Sequence, residues 1–133
     1  MKYLQALLIL VFSVQFSLGQ TQSEMNDEAE AEYTKSHAAM NKVYQQILQD
    51  YQDDVAFITK LKASQNLWLK FRDAESDMKF SAEDAYEYYG SVYPMCRYYY
   101  LADLTDQRTK KLREWLVSPI SEEACPGSVK FRD

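Results

Sequence analysis

The chain predicts an all-α domain, a small antiparallel three-helix bundle with a disulfide-tethered C-terminal tail, and three observations carry that reading. From Ala29 to about Asp50 no glycine or proline interrupts the chain, and Tyr33, His37, Met40, Tyr44, Ile47 and Tyr51 recur at steps of four and three. That is the spacing of a helix–helix seam. Leu61–Met78 is a second uninterrupted stretch; Leu61, Trp68, Phe71 and Met78 in it, with Phe57 one turn before it, are expected on one side of a helix. The third observation is a pair of cysteines, Cys96 and Cys125, in a chain that opens with an export signal. A small even number of cysteines in an exported protein reads as a disulfide. A bridge between these two closes about thirty residues and contributes about 3 kcal/mol in the chain-entropy model.

The export signal occupies residues 1–19. Lys2 supplies a positive start, Leu4–Phe16 an apolar run, and Ser17-Leu18-Gly19 the small residues of a cleavage site. The division of the chain is therefore residues 1–19 as signal peptide, 20–117 as the helical domain and 118–133 as an irregular tail. Removing Lys2 takes the net charge from −5 to −6. Such an acidic chain excludes the basic footprint that nucleic acids reward, and it disfavours anionic membranes. It favours a cationic partner, chiefly through the rate of encounter.

Thr21-Gln22-Ser23-Glu24 has the form of a capping box and starts the first helix. Gln52-Asp53-Asp54 is the turn, with Asp53 as cap of a second helix from about Val55 to Phe80. A connection this short makes the two helices antiparallel neighbours. Ser81–Asp84 caps a short helical segment that ends at Gly90. Pro94 suits the first turn of the third long helix, whose apolar face is Leu101, Leu104, Leu112 and Trp115, with Arg108 among them. Thr105 marks a place where that helix can break. Ser118-Pro119 ends it, and Lys130–Asp133 are expected to be loose.

Polar groups border the apolar side of the second helix. Gln65, Trp68 and Arg72 share a face, Arg72 and Glu75 stand at i, i+3, and Asp73 and Arg108 complete a candidate structural polar network. Its expected role is to set how the helices register rather than to do chemistry. His37 is the only histidine, so no Ser–His or Cys–His nucleophile can be built. Asp73 and Glu75 are two apart on a helix and diverge, unlike the converging carboxyls of a glycosidase. No catalytic residue, metal site or cofactor is expected.

With the helices placed, the order of motifs resembles the LprI-type lysozyme-inhibitor family. Thr21–Asn26 (TQSEMN), Met40–Tyr44 (MNKVY), Leu61–Glu75 (LKASQNLWLKFRDAE) and Leu104–Thr109 (LTDQRT) follow its pattern over about Thr21–Leu116. Family members often carry a cysteine shortly after the first motif and another closing FRDAEC. Here Asn26–Tyr33 has none and Ser76 fills the second place. Cys96 matches the remaining family cysteine, and Cys125, the other cysteine of the chain, is its expected partner. The resemblance implies a small exported helical domain, some of whose members inhibit lysozyme, and no enzymatic activity.

Seven of the ten tyrosines outside the signal lie between Tyr86 and Tyr100. Glu83, Asp84, Tyr86, Glu87, Tyr88, Tyr89 and Tyr93 combine acid, tyrosine and a glycine hinge, and form the candidate partner-binding surface. Tyrosine offers large contact area at little rotamer entropy, and the acids steer a basic protein. The expected function is a periplasmic or secreted binding module that occludes the cleft of a basic, lysozyme-like glycosidase. The alternative is a module that binds cell-wall glycan or maintains the envelope without inhibiting anything.

Overall fold

A computed structural model describes residues 20–120 and 124–132, so the expected signal segment lies outside the described residues. Among them the protein is all-helical, with four α-helices: α1 (Gln22–Asp50), α2 (Val55–Lys79), the five-residue α3 (Ala85–Tyr89) and α4 (Tyr93–Arg113). A single 3₁₀ turn, Glu114–Leu116, follows α4.

Local chemistry sets the ends. Thr21 forms the full capping box: its hydroxyl accepts from the Glu24 amide, and the Glu24 carboxylate accepts from the Thr21 amide at 2.7 Å. The cap of α2 is Asp54 rather than the expected Asp53, its carboxylate accepting from the Phe57 amide at 2.9 Å. Asp84 caps α3 through the Glu87 amide, and Gly90 closes it at φ 77°, a backbone conformation that L side chains rarely adopt. Pro94 lies in the first turn of α4. No break occurs at Thr105, because its hydroxyl folds back onto the Leu101 carbonyl at 2.7 Å and leaves the helix continuous. The regular helix ends at Arg113, before Ser118-Pro119.

The closest pair of helices is α1 and α4, not the hairpin α1–α2. Small side chains explain it. Ala29 and Ser36 on α1 and Ala102, Thr105 and Thr109 on α4 are all buried, and small residues at a contact let two helix axes approach. Burying the threonines is cheap, since Thr105 and Thr109 both bond carbonyls one turn back. Asn26 donates to the Ser91 carbonyl, Tyr33 stacks near Tyr98, and Tyr51 reaches the Trp115 carbonyl. These pairings advance together along both helices, so α1 and α4 run parallel. Helix α2 returns against them, with Phe57 beside Tyr51, Gln65 beside Met40 and Arg72 beside Tyr33.

The core lies toward the end where α1 finishes and α2 begins: Met40, Val43, Ile47, Tyr51, Leu61 and Leu112, with Phe57, Trp68 and Trp115 packed against it. Phe71 and Met78, expected on the core side of α2, are 55% and 68% exposed. Counted at about 100° per residue they lie roughly 80° and 100° around the helix from Leu61. With Leu67 they form an apolar stripe facing out.

The expected disulfide is absent: both cysteines are free and not at bonding distance. Cys96 is half-buried in the first turn of α4. From there to Arg113 the helix rises about 26 Å. Beyond it, the tail is fastened at the far end, where Tyr51 holds it. The Tyr51 hydroxyl accepts from the Lys130 amide at 2.9 Å, Lys130 Nζ donates to the Asp50 carbonyl at 2.7 Å, and Arg132 pairs with the Asp50 carboxylate at 2.9 Å. The Arg132 amide also donates to Ser118 Oγ. Lys130 and Arg132 are thus fixed rather than loose, and they leave Cys125 exposed and remote from Cys96.

Candidate functional site

Two of the groups expected from sequence come together as neighbourhoods, one inside the fold and one on its surface. Inside, α2 and α4 meet across Gln65 and Arg108. Arg108 Nε donates to the Gln65 carbonyl oxygen at 3.0 Å and Nη2 donates to Ser64 Oγ at 3.2 Å. The Gln65 amide nitrogen faces Met40 Sδ of α1 at 3.3 Å. Both Arg72 and Arg108 lie over the Trp68 ring, 5.6 and 5.7 Å from its centroid, and Arg72 also approaches the Tyr33 ring. Such cation–π contacts contribute about 0.5–2 kcal/mol, more when shielded from water. Burial makes the charged form of Arg108 less favourable and lowers its pKa.

Arg72 does not pair with Glu75. It is buried, and its Nε and Nη2 both donate to Asp73 Oδ1, at 2.9 and 2.7 Å. Among the described residues, Arg72 Nη1 and Glu75 Oε2 are buried without a partner, as is Ser76 Oγ in the next position. Gln65, Trp68, Arg72, Asp73 and Arg108 are therefore in mutual reach, while Glu75 stands apart from the bonds.

On the surface, α3 and its flanks present Glu83, Asp84, Tyr86, Glu87 and Tyr88, all exposed, with Tyr88 at 75% and Tyr86 at 58%. An open groove of about 460 Å³ runs beside Ala82, Glu83, Asp84, Glu87 and Tyr88. Tyr89 and Tyr93 are different. They are half-buried and pack edge-on against Phe80 at 5.7 and 5.4 Å, with Tyr100 against the same ring at 6.4 Å. These rings anchor the segment, and Tyr88 stands edge-on to Tyr89 at 4.9 Å. Lys79 over the Tyr100 ring at 4.0 Å closes the cluster. An aromatic foundation of this kind contributes about 0.5–1.5 kcal/mol per pair beyond area burial, so the exposed rings stand on an ordered base.

The remaining candidates are plainly structural in their surroundings. His37 is half-buried, tilted against Tyr33 at 6.0 Å and 3.4 Å from the Asn41 side chain. Tyr98, packed near Tyr33, has its hydroxyl pKa raised by burial first and by Glu30 second. Among the described residues no three His, Cys, Asp or Glu side chains gather as a metal site, and no helix is long and apolar enough to cross a membrane.

The described residues thus form a small all-helical domain with a polar helix junction inside and an acidic, tyrosine-bearing turn outside. The chain belongs to the LprI lysozyme-inhibitor family: the family model described as Lysozyme inhibitor LprI matches residues 17–112, which takes in α1, α2, α3 and nearly all of α4. No curated protein and no solved structure matches the chain.

Proposed function

We propose that the protein is exported by residues 1–19 and that the released chain from Gln20 onward inhibits a lysozyme-like glycosidase, by laying the Glu83–Tyr93 segment across the substrate cleft. The observation that carries this reading is the pairing of exposed Tyr86 and Tyr88 with exposed Glu83, Asp84 and Glu87 on one braced turn. Family membership supports the choice of target. Hydroxyl-tipped rings supply contact area and hydrogen bonds inside a cleft that binds sugars, and the carboxylates speed encounter with a basic enzyme. Tyr89, Tyr93 and Phe80 hold the segment so that little ordering entropy is lost on binding. The polar junction of Gln65, Trp68, Arg72, Asp73 and Arg108 holds the helices in register beneath it and takes no part in chemistry.

Purified Gln20–Asp133 slows lysis of bacterial cell walls by a basic lysozyme at low salt, and less at high salt, where charges farther apart than about 8–10 Å are screened. Absence of inhibition at low salt and large molar excess disposes of the reading. The same exposed rings also suit stacking on sugars. Retention on insoluble peptidoglycan, lost in Tyr86→Ala and Tyr88→Ala, without any inhibition, favours a glycan-binding module instead.

A further inference from the structure

Between α2, α4 and the tail lies a cleft of about 240 Å³ that the inhibitory reading does not use. Phe57, Leu61, Leu112 and Trp115 wall it, with Lys60 and Arg108 among its lining residues. It is more enclosed than the grooves along α1. Arg108 is half-buried here, yet no salt bridge reaches it among the described residues. Its Nε and Nη2 bond the neutral Gln65 and Ser64, and Nη1 has no partner among those residues. A half-buried guanidinium without a counter-charge is unusual in a chain of net charge −5. Trp115, another lining residue, has a buried indole N–H with no acceptor among the described residues.

We propose that this cleft is a binding site for a small organic carboxylate with a short apolar body. The volume equals about eight waters at ~30 Å³ each, enough for a benzoate-sized acid and too small for a drug-sized ligand. The apolar walls take the body of the molecule. Arg108, with Lys60 beside it, supplies the charge for the carboxylate, as a guanidinium with a free N–H does well. An acid bound this way completes the ion pair that the fold leaves open, with the Trp115 ring against its body. The site lies on a different part of the surface from Tyr86 and Tyr88 and does not depend on their role.

The test is a titration of the chain from Gln20 onward with sodium benzoate, followed by ¹H–¹⁵N spectra. Only two tryptophans are present, so the indole signals of Trp115 and Trp68 are distinguished by a single Trp→Phe variant. The Trp115 indole and Arg108 Nε–H signals are expected to move saturably. Benzamide, the uncharged analogue, is expected to bind at least tenfold more weakly, and Arg108→Gln to weaken benzoate at least tenfold. Lys60→Glu, an exposed change that leaves the Gln65 contact intact, gives a second charge test if Arg108→Gln does not fold. Equal binding of benzoate and benzamide, or no saturable movement at Trp115 up to about 50 mM, overturns the proposal.

Discussion

Gln65 and Arg108, forty-three residues apart, join the middles of α2 and α4 through one hydrogen bond of 3.0 Å. Gln65 is buried and faces Met40 on α1 with its other end, so a single side chain touches all three long helices. Removing it strands a half-buried guanidinium and opens a gap in the core. Gln65→Ala is expected to cost about 2–3 kcal/mol in urea denaturation. A double-mutant cycle with Arg108→Ala should return a coupling of about 1–2 kcal/mol. Additive effects of the two changes contradict the junction.

The parallel seam of α1 and α4 depends on side chains staying small. Ala29 is fully buried in it. Ala29→Leu is expected to destabilise by about 1–3 kcal/mol through overpacking, whereas the same change at exposed Ala63 falls within about 0.5 kcal/mol. Thermal unfolding of the two variants side by side checks this.

That seam is also where sequence reasoning fell short. The helices, the Thr21 box, a cap within Ser81–Asp84 and the Gly90 turn were readable because each depends on residues within four positions of one another; that Asp84 rather than Ser81 makes the cap was not. Which helices approach most closely was not, since it turns on small residues. Ala29 and Ser36, or Ala102, Thr105 and Thr109, carry a seam spacing that a search for large apolar groups passes over. Phe71 and Met78 follow Trp68 at steps that suggest its side of the helix, but at about 100° per residue from Leu61 they belong to another face. The polar face of α2 was legible from Gln65, Trp68 and Arg72. The choice of Asp73 over Glu75 as partner of Arg72 was not, because it rests on rotamers rather than on register.

The tail is held by Tyr51 rather than by sulfur. Its hydroxyl donates to the Trp115 carbonyl at 3.0 Å and accepts from the Lys130 amide. Tyr51→Phe keeps the ring against Phe57 and removes only these bonds, at a cost of about 1–2 kcal/mol. Limited proteolysis should cut the variant after Arg113 or Lys130 sooner than the parent, while α1 and α2 stay intact.

Both thiols are expected to be free. The chain from Gln20 onward, prepared without reductant, should titrate two thiols per molecule once unfolded, and its melting temperature should not change with added reductant. A mass two daltons lower than the reduced form, with a reductant-sensitive melting point, shows that Cys96 and Cys125 meet and that the tail lies elsewhere.

The braced, acidic tyrosine turn is proposed to act on a lysozyme. The most direct measurement compares the chain from Gln20 onward with its Tyr86→Ala, Tyr88→Ala double variant in a cell-wall lysis assay with a basic lysozyme. Both side chains are exposed and the rings on Phe80 are untouched, so the double change should leave the protein folded, its melting temperature lowered by several degrees at most as the Tyr88–Tyr89 contact is lost. The expected result is inhibition by the parent that weakens with salt, and a loss of about tenfold or more in the variant, as for aromatic anchors in other interfaces. Equal inhibition by both proteins, or none by either at low salt, contradicts it.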